Sequence, residues 1–242
     1  MSDNPAPPAP PAPLVLLTRP RAASERFAQA LQDALGPVRV AILPLMEIAP
    51  LVDRLDLEGV AGLIFTSAAG VEVFSGLTAD RGLPAWCVGD RTAEAARAIG
   101  LRATSAGGDA AALVALMATA RPEGRLVHLH GAHTRGDVAE RLARENLRAE
   151  GRAIYDQVSV PPGRAFAAAL EHDGPVIVPL FSPRSAELFG RVPGADATGV
   201  HPVALSPAVR AALPDVLAAR AETAESPDAP AMIRAIGALI SR

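Results

Sequence analysis

Few side chains in this sequence are placed to do chemistry, and they fall in short clusters. His128, His130 and His133 form one. His128 and His130 alternate on what reads as one strand face, so both rings would project to the same side. A metal there would need a third ligand, which His133 could reach, and Asp137 is the one carboxylate beside them. Polar residues at a strand end are the favoured reading, so no metal is assigned. Ser67 and Ser182 each follow a strand end. A serine there caps a helix, worth about 1 kcal/mol. With exposed helix N–H groups it can also cradle an anion. Both readings stay open, and their repetition along the chain favours the second. Tyr155 is the sole tyrosine. Its hydroxyl could give a hydrogen bond or a proton at a reacting centre, although a half-buried interface tyrosine is the plainer reading.

What is absent narrows the chemistry. There is no G-x-S-x-G and no evident Ser/His/Asp set. No G-x-G-x-x-G follows a strand, and no G-x-x-x-x-G-K-[ST] occurs. Rossmann and P-loop readings therefore have no support. All 23 basic residues are arginine. Schiff-base and pyridoxal-phosphate chemistry, which need a lysine, are excluded. The net charge of -3 and an aromatic share of 3% argue against nucleic-acid binding, which favours basic faces and stacking rings. The single cysteine, Cys87, excludes a disulfide framework and fits a reducing cytoplasm. No apolar run approaches the roughly 20 residues that span a bilayer.

These groups are held by a regular alternation of elements. Residues 5–13 are only Pro and Ala, an extended, solvated tail. Leu14-Val15-Leu16-Leu17 reads as a buried strand, and Pro20 stands near the opening of a helix that Gly36-Pro37 ends. Val38 to Leu43 is a strand, as are Gly62 to Phe65, Ala85 to Val88, Arg125 to His130, Val176 to Leu180, Val203 to Leu205 and Val216 to Ala219. Helices are expected after Thr66-Ser67, over Thr92 to Ile99, Asp109 to Ala120, Gly136 to Glu150, Arg164 to Glu171, Pro183 to Phe189, Ser206 to Leu213 and Pro230 to Ser241. Repeated strand–helix units joined by short turns predict an α/β fold with parallel sheets.

Two extended stretches, Pro44 to Pro50 and Ile154 to Val160, break the alternation. One continuous sheet is compatible with them. So are two α/β lobes joined by two crossing strands, with the first lobe discontinuous in sequence. A faint internal echo favours two lobes. Ile64-Phe65-Thr66-Ser67 resembles Leu180-Phe181-Ser182-Pro183, and Cys87 to Thr92 resembles Ala204 to Val209, about 115 residues on and in the same order.

The combined pattern resembles the uroporphyrinogen-III synthase family of tetrapyrrole biosynthesis. The residues that carry it begin with Leu17-Thr18-Arg19-Pro20, then Pro44-Leu45 and Ile48. Ile64-Phe65-Thr66-Ser67 with Val71 follows, then Val88-Gly89 with Thr92-Ala93, then His130-Gly131 with Arg135-Gly136, then Tyr155. Phe181-Ser182-Pro183, Ser185 and a degenerate Ala204-Leu205-Ser206-Pro207 close the series. Each piece is short; their order over nearly the whole chain makes the match specific.

The resemblance implies two similar flavodoxin-like α/β lobes with parallel sheets, joined by a two-stranded ladder. Residues 14–43 and 162–242 would form the first lobe, 51–152 the second, 44–50 and 153–161 the connecting strands, and 1–13 the tail. The implied reaction cyclises hydroxymethylbilane to uroporphyrinogen III, with loss of water, inversion of ring D and no cofactor. Because that substrate closes unaided to the wrong isomer, the enzyme's task is mainly orientation in a cleft between lobes. Carried over position by position, Tyr155 and Thr92 become the catalytic candidates. Arg19, Ser67, Gly131, Arg135, Ser182 and Ser185 become contacts for the substrate's eight carboxylates. The chain departs from the family pattern at Ala69, His130, Ser206 and Val209. A cytoplasmic monomer with no nucleic-acid or membrane partner is expected, with transient contact to the preceding pathway enzyme. Two rivals are a non-catalytic two-lobed module holding a tetrapyrrole or other polyanion, and an unrelated flavodoxin-like domain binding a small phosphate. The second predicts one sheet and one anion site.

Overall fold

Short runs of branched apolar residues bounded by turn residues become buried parallel strands, and the amphipathic segments between them become the helices that cover the sheets. The computed structural model describes residues 11–133 and 137–241. Strand β1 (Leu14–Leu17) leads to helix α1 (Arg21–Leu35), which Gly36 ends at φ 78°, its N–H donating to Gln32 O. Strands β2 (Arg39–Ile42) and β3 (Met46–Pro50) follow. Then come β4 (Val60–Phe65), α2 (Ala68–Leu77), β5 (Pro84–Cys87), α3 (Asp90–Ala98), β6 (Arg102–Ser105), α4 (Ala110–Ala120), β7 (Arg125–Gly131), α5 (Val138–Arg144) and β8 (Ala149–Ser159). The chain closes with α6 (Arg164–Leu170), β9 (Val176–Leu180), α7 (Pro183–Gly190), β10 (Val200–Ala204), α8 (Pro207–Ala211), α9 (Asp215–Arg220), β11 (Glu222–Thr223) and α10 (Ala229–Ile240).

Four details differ from the sequence expectation. Val216 to Ala219 is not a strand but lies inside helix α9, where Leu217 alone is buried and Val216 is 65% exposed. Pro214 caps the start of this helix, and its C-terminal N–H at Ala221 donates to Leu217 O. The helix expected to run to Glu150 stops at Arg144, and Asn146, at φ 61°, turns the chain into β8. Strands β6 and β11 were not expected; neither contains a fully buried residue.

The chain forms two units. The first comprises Met1–Glu47 and Ser159–Arg242, the second Ile48–Val158. In the first, the strand order is β11-β10-β9-β1-β2, with every pairing parallel. Phe27, Leu31, Met232 and Ile236 cover one face; Phe166, Phe189, Val209 and Leu217 cover the other. In the second, the order is β3-β8-β7-β4-β5-β6, parallel from β8 to β6. Helices α2 and α3 bury Val71, Phe74, Ala93 and Ala96 on one face, and α4 and α5 bury Leu113, Met117 and Leu142 on the other. Strand β3 runs against β8: Leu51 N–H donates to Ile154 O and Val160 N–H to Leu45 O. The chain passes from one unit to the other within these two strands. Among the described residues no helix is long and apolar enough to cross a membrane.

Candidate functional site

The C-terminal end of a parallel strand delivers its next residues to the start of a helix, where backbone N–H groups lack helical partners. In the second unit β4 ends at the buried Phe65, and Ser67 caps α2 by accepting the Gly70 N–H at 3.1 Å. Strand β7 lies beside β4, and β8 beside β7. The β7–β8 register slips by one residue: His130 stands opposite Ala153, but Gly131 stands opposite Tyr155. Such a bulge re-aims a side chain at a sheet edge. Here it leaves the Tyr155 hydroxyl 2.9 Å from Ser67 Oγ, with Tyr155 only 7% exposed. Ala132 N–H donates to Tyr155 O at 2.8 Å, fixing the backbone. Gly131 lies under the ring. A Cβ there would stand 2.8 Å from Tyr155 Cε2 and 2.9 Å from Cζ.

These residues line a solvent-open depression of about 160 Å³, formed by Thr66, Ser67, Gly131, Ala132, His133, Tyr155, Asp156 and Gln157. His133 and Asp156 approach to 3.5 Å on its rim, and Asp156 also accepts the Gln157 N–H at 2.7 Å. Behind it, His128 is buried, with Nε2 3.1 Å from Thr66 Oγ1. Burial pushes the His128 ring down to about 4, and the neighbouring His130 adds to the shift. His128 is therefore neutral at neutral pH, and its Nε2 can accept or donate. The two rings stand 4.9 Å apart, and His130 Nδ1 lies 2.9 Å from Gly131 O. Among the described residues no three His, Cys, Asp or Glu side chains are placed to share a metal ion. Cys87 is buried, which raises its thiol to about 11 and keeps it protonated.

Of the residues singled out from the sequence, Ser67, Gly131, His133 and Tyr155 come together at this depression. Thr92 does not line it; it is buried in the first turn of α3, its N–H donating to Gly89 O. Arg135 lies outside the described residues. Thr66 was read only as part of a motif, and Ala132, Asp156 and Gln157 were not singled out; all four lie within two positions of a residue that was, which was the available signal.

The first unit repeats the turn. Ser182 caps α7 by accepting the Ser185 N–H at 3.1 Å, and Ser185 Oγ accepts the Ser182 N–H at 3.0 Å while donating to Ser182 O at 2.7 Å. Ser185 is buried and its hydroxyl is engaged within this capping box, so it shapes the turn. At the end of the neighbouring β1, the Arg19 guanidinium lies 4.2 Å from the Phe181 ring centroid, a cation–π contact. Ser206 caps α8 from β10, as Gly89 opens α3 after β5. The sequence echo thus marks two strand-to-helix turns in each unit.

A family model described as uroporphyrinogen-III synthase HemD matches residues 25–234. Among solved structures, a uroporphyrinogen-III synthetase from Helicobacter pylori 26695 matches at 13% identity with a TM-score of 0.64, covering 93% of this chain and 98% of that chain. Two structures of uroporphyrinogen III synthase from the extremely thermophilic bacterium Thermus thermophilus, one wild type and one mutant, match at 20% and 19% identity with TM-scores of 0.42 and 0.46. Each covers 95% of this chain, with 98% and 99% of the other chain. No curated protein matches the sequence significantly.

Proposed function

The chain belongs to the uroporphyrinogen-III synthase family, and we propose that it cyclises hydroxymethylbilane to uroporphyrinogen III, with loss of water and inversion of ring D. The family match supports this reaction. The observation that carries the local assignment is the 2.9 Å Ser67–Tyr155 hydrogen bond on the wall of an open depression.

The division of labour follows from the bond's surroundings. Ser67 Oγ already accepts the Gly70 N–H, which leaves its proton free to point at Tyr155. Tyr155 can then direct its own proton into the depression, at the hydroxyl that leaves the substrate. As the proton passes, the Ser67 O–H and the positive end of α2 stabilise the charge developing on the phenol oxygen. Loss of that hydroxyl as water makes the terminal carbon electrophilic, and the substituted carbon of ring D attacks it to form a spiro intermediate. Tyr155 assists departure; the selection of isomer III comes from how the substrate is held. Gln157 and His133 offer polar groups for substrate carboxylates on the same wall, while the Thr66 hydroxyl is engaged by His128. Arg19 and Ser182, on the first unit, are proposed carboxylate contacts of the same kind. A cytoplasmic monomer, in transient contact with the enzyme that supplies its substrate, is part of this proposal.

The test is Tyr155→Phe, assayed for rate and for isomer ratio. Loss of a general acid of this kind should lower kcat roughly ten- to a hundredfold while isomer III still dominates the residual enzymatic product. Full rate with full isomer III yield would remove Tyr155 from the chemistry.

A further inference from the structure

We propose that His128 is a positioning residue for Tyr155, acting through the turn at Thr66-Ser67; the catalytic half of the claim rests on the function proposed above. The turn is held from both faces of the second unit's sheet. Side chains alternate along β7, so His128 shares the face of Leu126, with Ile64 packed beside it under α4 and α5. Val127 and Leu129 face the opposite way, into the core that holds Tyr155, Phe65 and Val71. From the first face, His128 Nε2 meets Thr66 Oγ1 at 3.1 Å. From the second, the Tyr155 hydroxyl meets Ser67 Oγ at 2.9 Å. Thr66 and Ser67 are consecutive, so one peptide unit links the two contacts. A rotation of that peptide large enough to break the first moves the second.

The chemistry of His128 suits this task better than catalysis. It is buried, does not line the depression and is neutral at neutral pH, so it meets no substrate atom and carries no charge to it. A neutral imidazole offers one ring nitrogen in a fixed plane, and here that nitrogen meets a hydroxyl whose residue lines the depression. Its ring also packs against His130, whose Nδ1 lies 2.9 Å from Gly131 O. Thr66, the residue before Ser67, and Gly131 are thus each in contact with a histidine of β7.

Tyr155 is the only tyrosine in the chain, so its phenolate absorbance can be titrated without a label. The reference is Ser67→Ala, which removes the bond to the phenol directly. His128→Leu and Thr66→Val should each move the phenolate midpoint at least halfway from wild type towards the Ser67→Ala value. His128→Gln, whose side-chain amide reaches the place of Nε2, should titrate as wild type. With substrate, His128→Leu and Thr66→Val should lower kcat roughly three- to tenfold, the scale of one lost hydrogen bond, with KM changed less than about twofold. Thr66→Val breaks the same contact without touching the buried ring, so it decides the matter if His128→Leu does not fold. Wild-type phenolate titration in Thr66→Val, no shift in Ser67→Ala, or a rise in KM with kcat unchanged would each overturn the inference. The titration needs no substrate. A protein that makes no isomer III would refute the proposed function, while the phenolate midpoints would still decide whether His128 positions Tyr155.

Discussion

Replacing Gly131 by alanine introduces one methyl group where the Tyr155 ring now lies. The new Cβ would stand 2.8 Å from Cε2, 2.9 Å from Cζ and 3.2 Å from the hydroxyl oxygen. Carbon atoms in ordinary contact stand about 3.5 Å apart or more, so the ring must retreat by about 0.7 Å. The Gly131 backbone is not at positive φ, so the cost lies in this contact and not in backbone strain. A displacement of that size, carried to the phenol oxygen, stretches the 2.9 Å bond to Ser67 beyond hydrogen-bond range. The fold should survive, since overpacking by one methyl costs about 1–3 kcal/mol. The chemistry should suffer more, because a misplacement approaching 1 Å in a positioned group costs on the order of a hundredfold in rate. The assay pairs turnover with the absorbance titration of Tyr155. Gly76→Ala serves as the control: it lies in α2 with nothing within 4 Å of its added Cβ, and should leave both readouts unchanged. A Gly131→Ala protein with wild-type kcat and wild-type phenolate titration would refute the placement of Tyr155 against Gly131.

Two further outcomes follow from the same geometry. Folded His128 takes a proton only below about 4, whereas an unfolded histidine does so below about 6.5. Between those values the unfolded chain binds more protons, so stability falls as pH drops from about 6.5 towards 4, by up to about 3 kcal/mol from this residue. Urea unfolding at pH 7 and pH 4.5 should show that loss in wild type and a smaller one in His128→Gln; equal losses would contradict it. Arg19→Ala removes a guanidinium held over Phe181, and should raise KM several-fold with little change in isomer ratio, which steady-state kinetics with product separation would check.

The strands most legible in the sequence are those buried on both faces, such as Val176–Leu180, whose continuous apolar runs have one home. The edge strand β2 is legible too, but the edge strands β6 and β11 are not. Strand β6 reads Arg-Ala-Thr-Ser with no buried residue, and β11 has two residues. Helix α9 reads as a strand because Val216-Leu217 carries β propensity, while its single inward side chain gives too little periodicity to show a helix. At the site, serines after strand ends can be picked out as caps by residue type and position alone. Their meeting with Tyr155 cannot, because it spans 88 residues and depends on a one-residue slip between β7 and β8. The Thr66–His128 contact is hidden for the same reason: it requires β4 and β7 to be neighbours, and they are 62 residues apart in sequence at this contact. The three histidines make contacts with Thr66, Gly131 and Asp156, and the rings of His128 and His130 pack together.

The central claim is tested most directly by the isomer of the product. Hydroxymethylbilane is generated in situ, the protein is added, and the oxidised porphyrins are separated by isomer. A synthase forms type III product in proportion to the protein added, against the spontaneous type I background. Type I product alone, at every protein concentration, would contradict it.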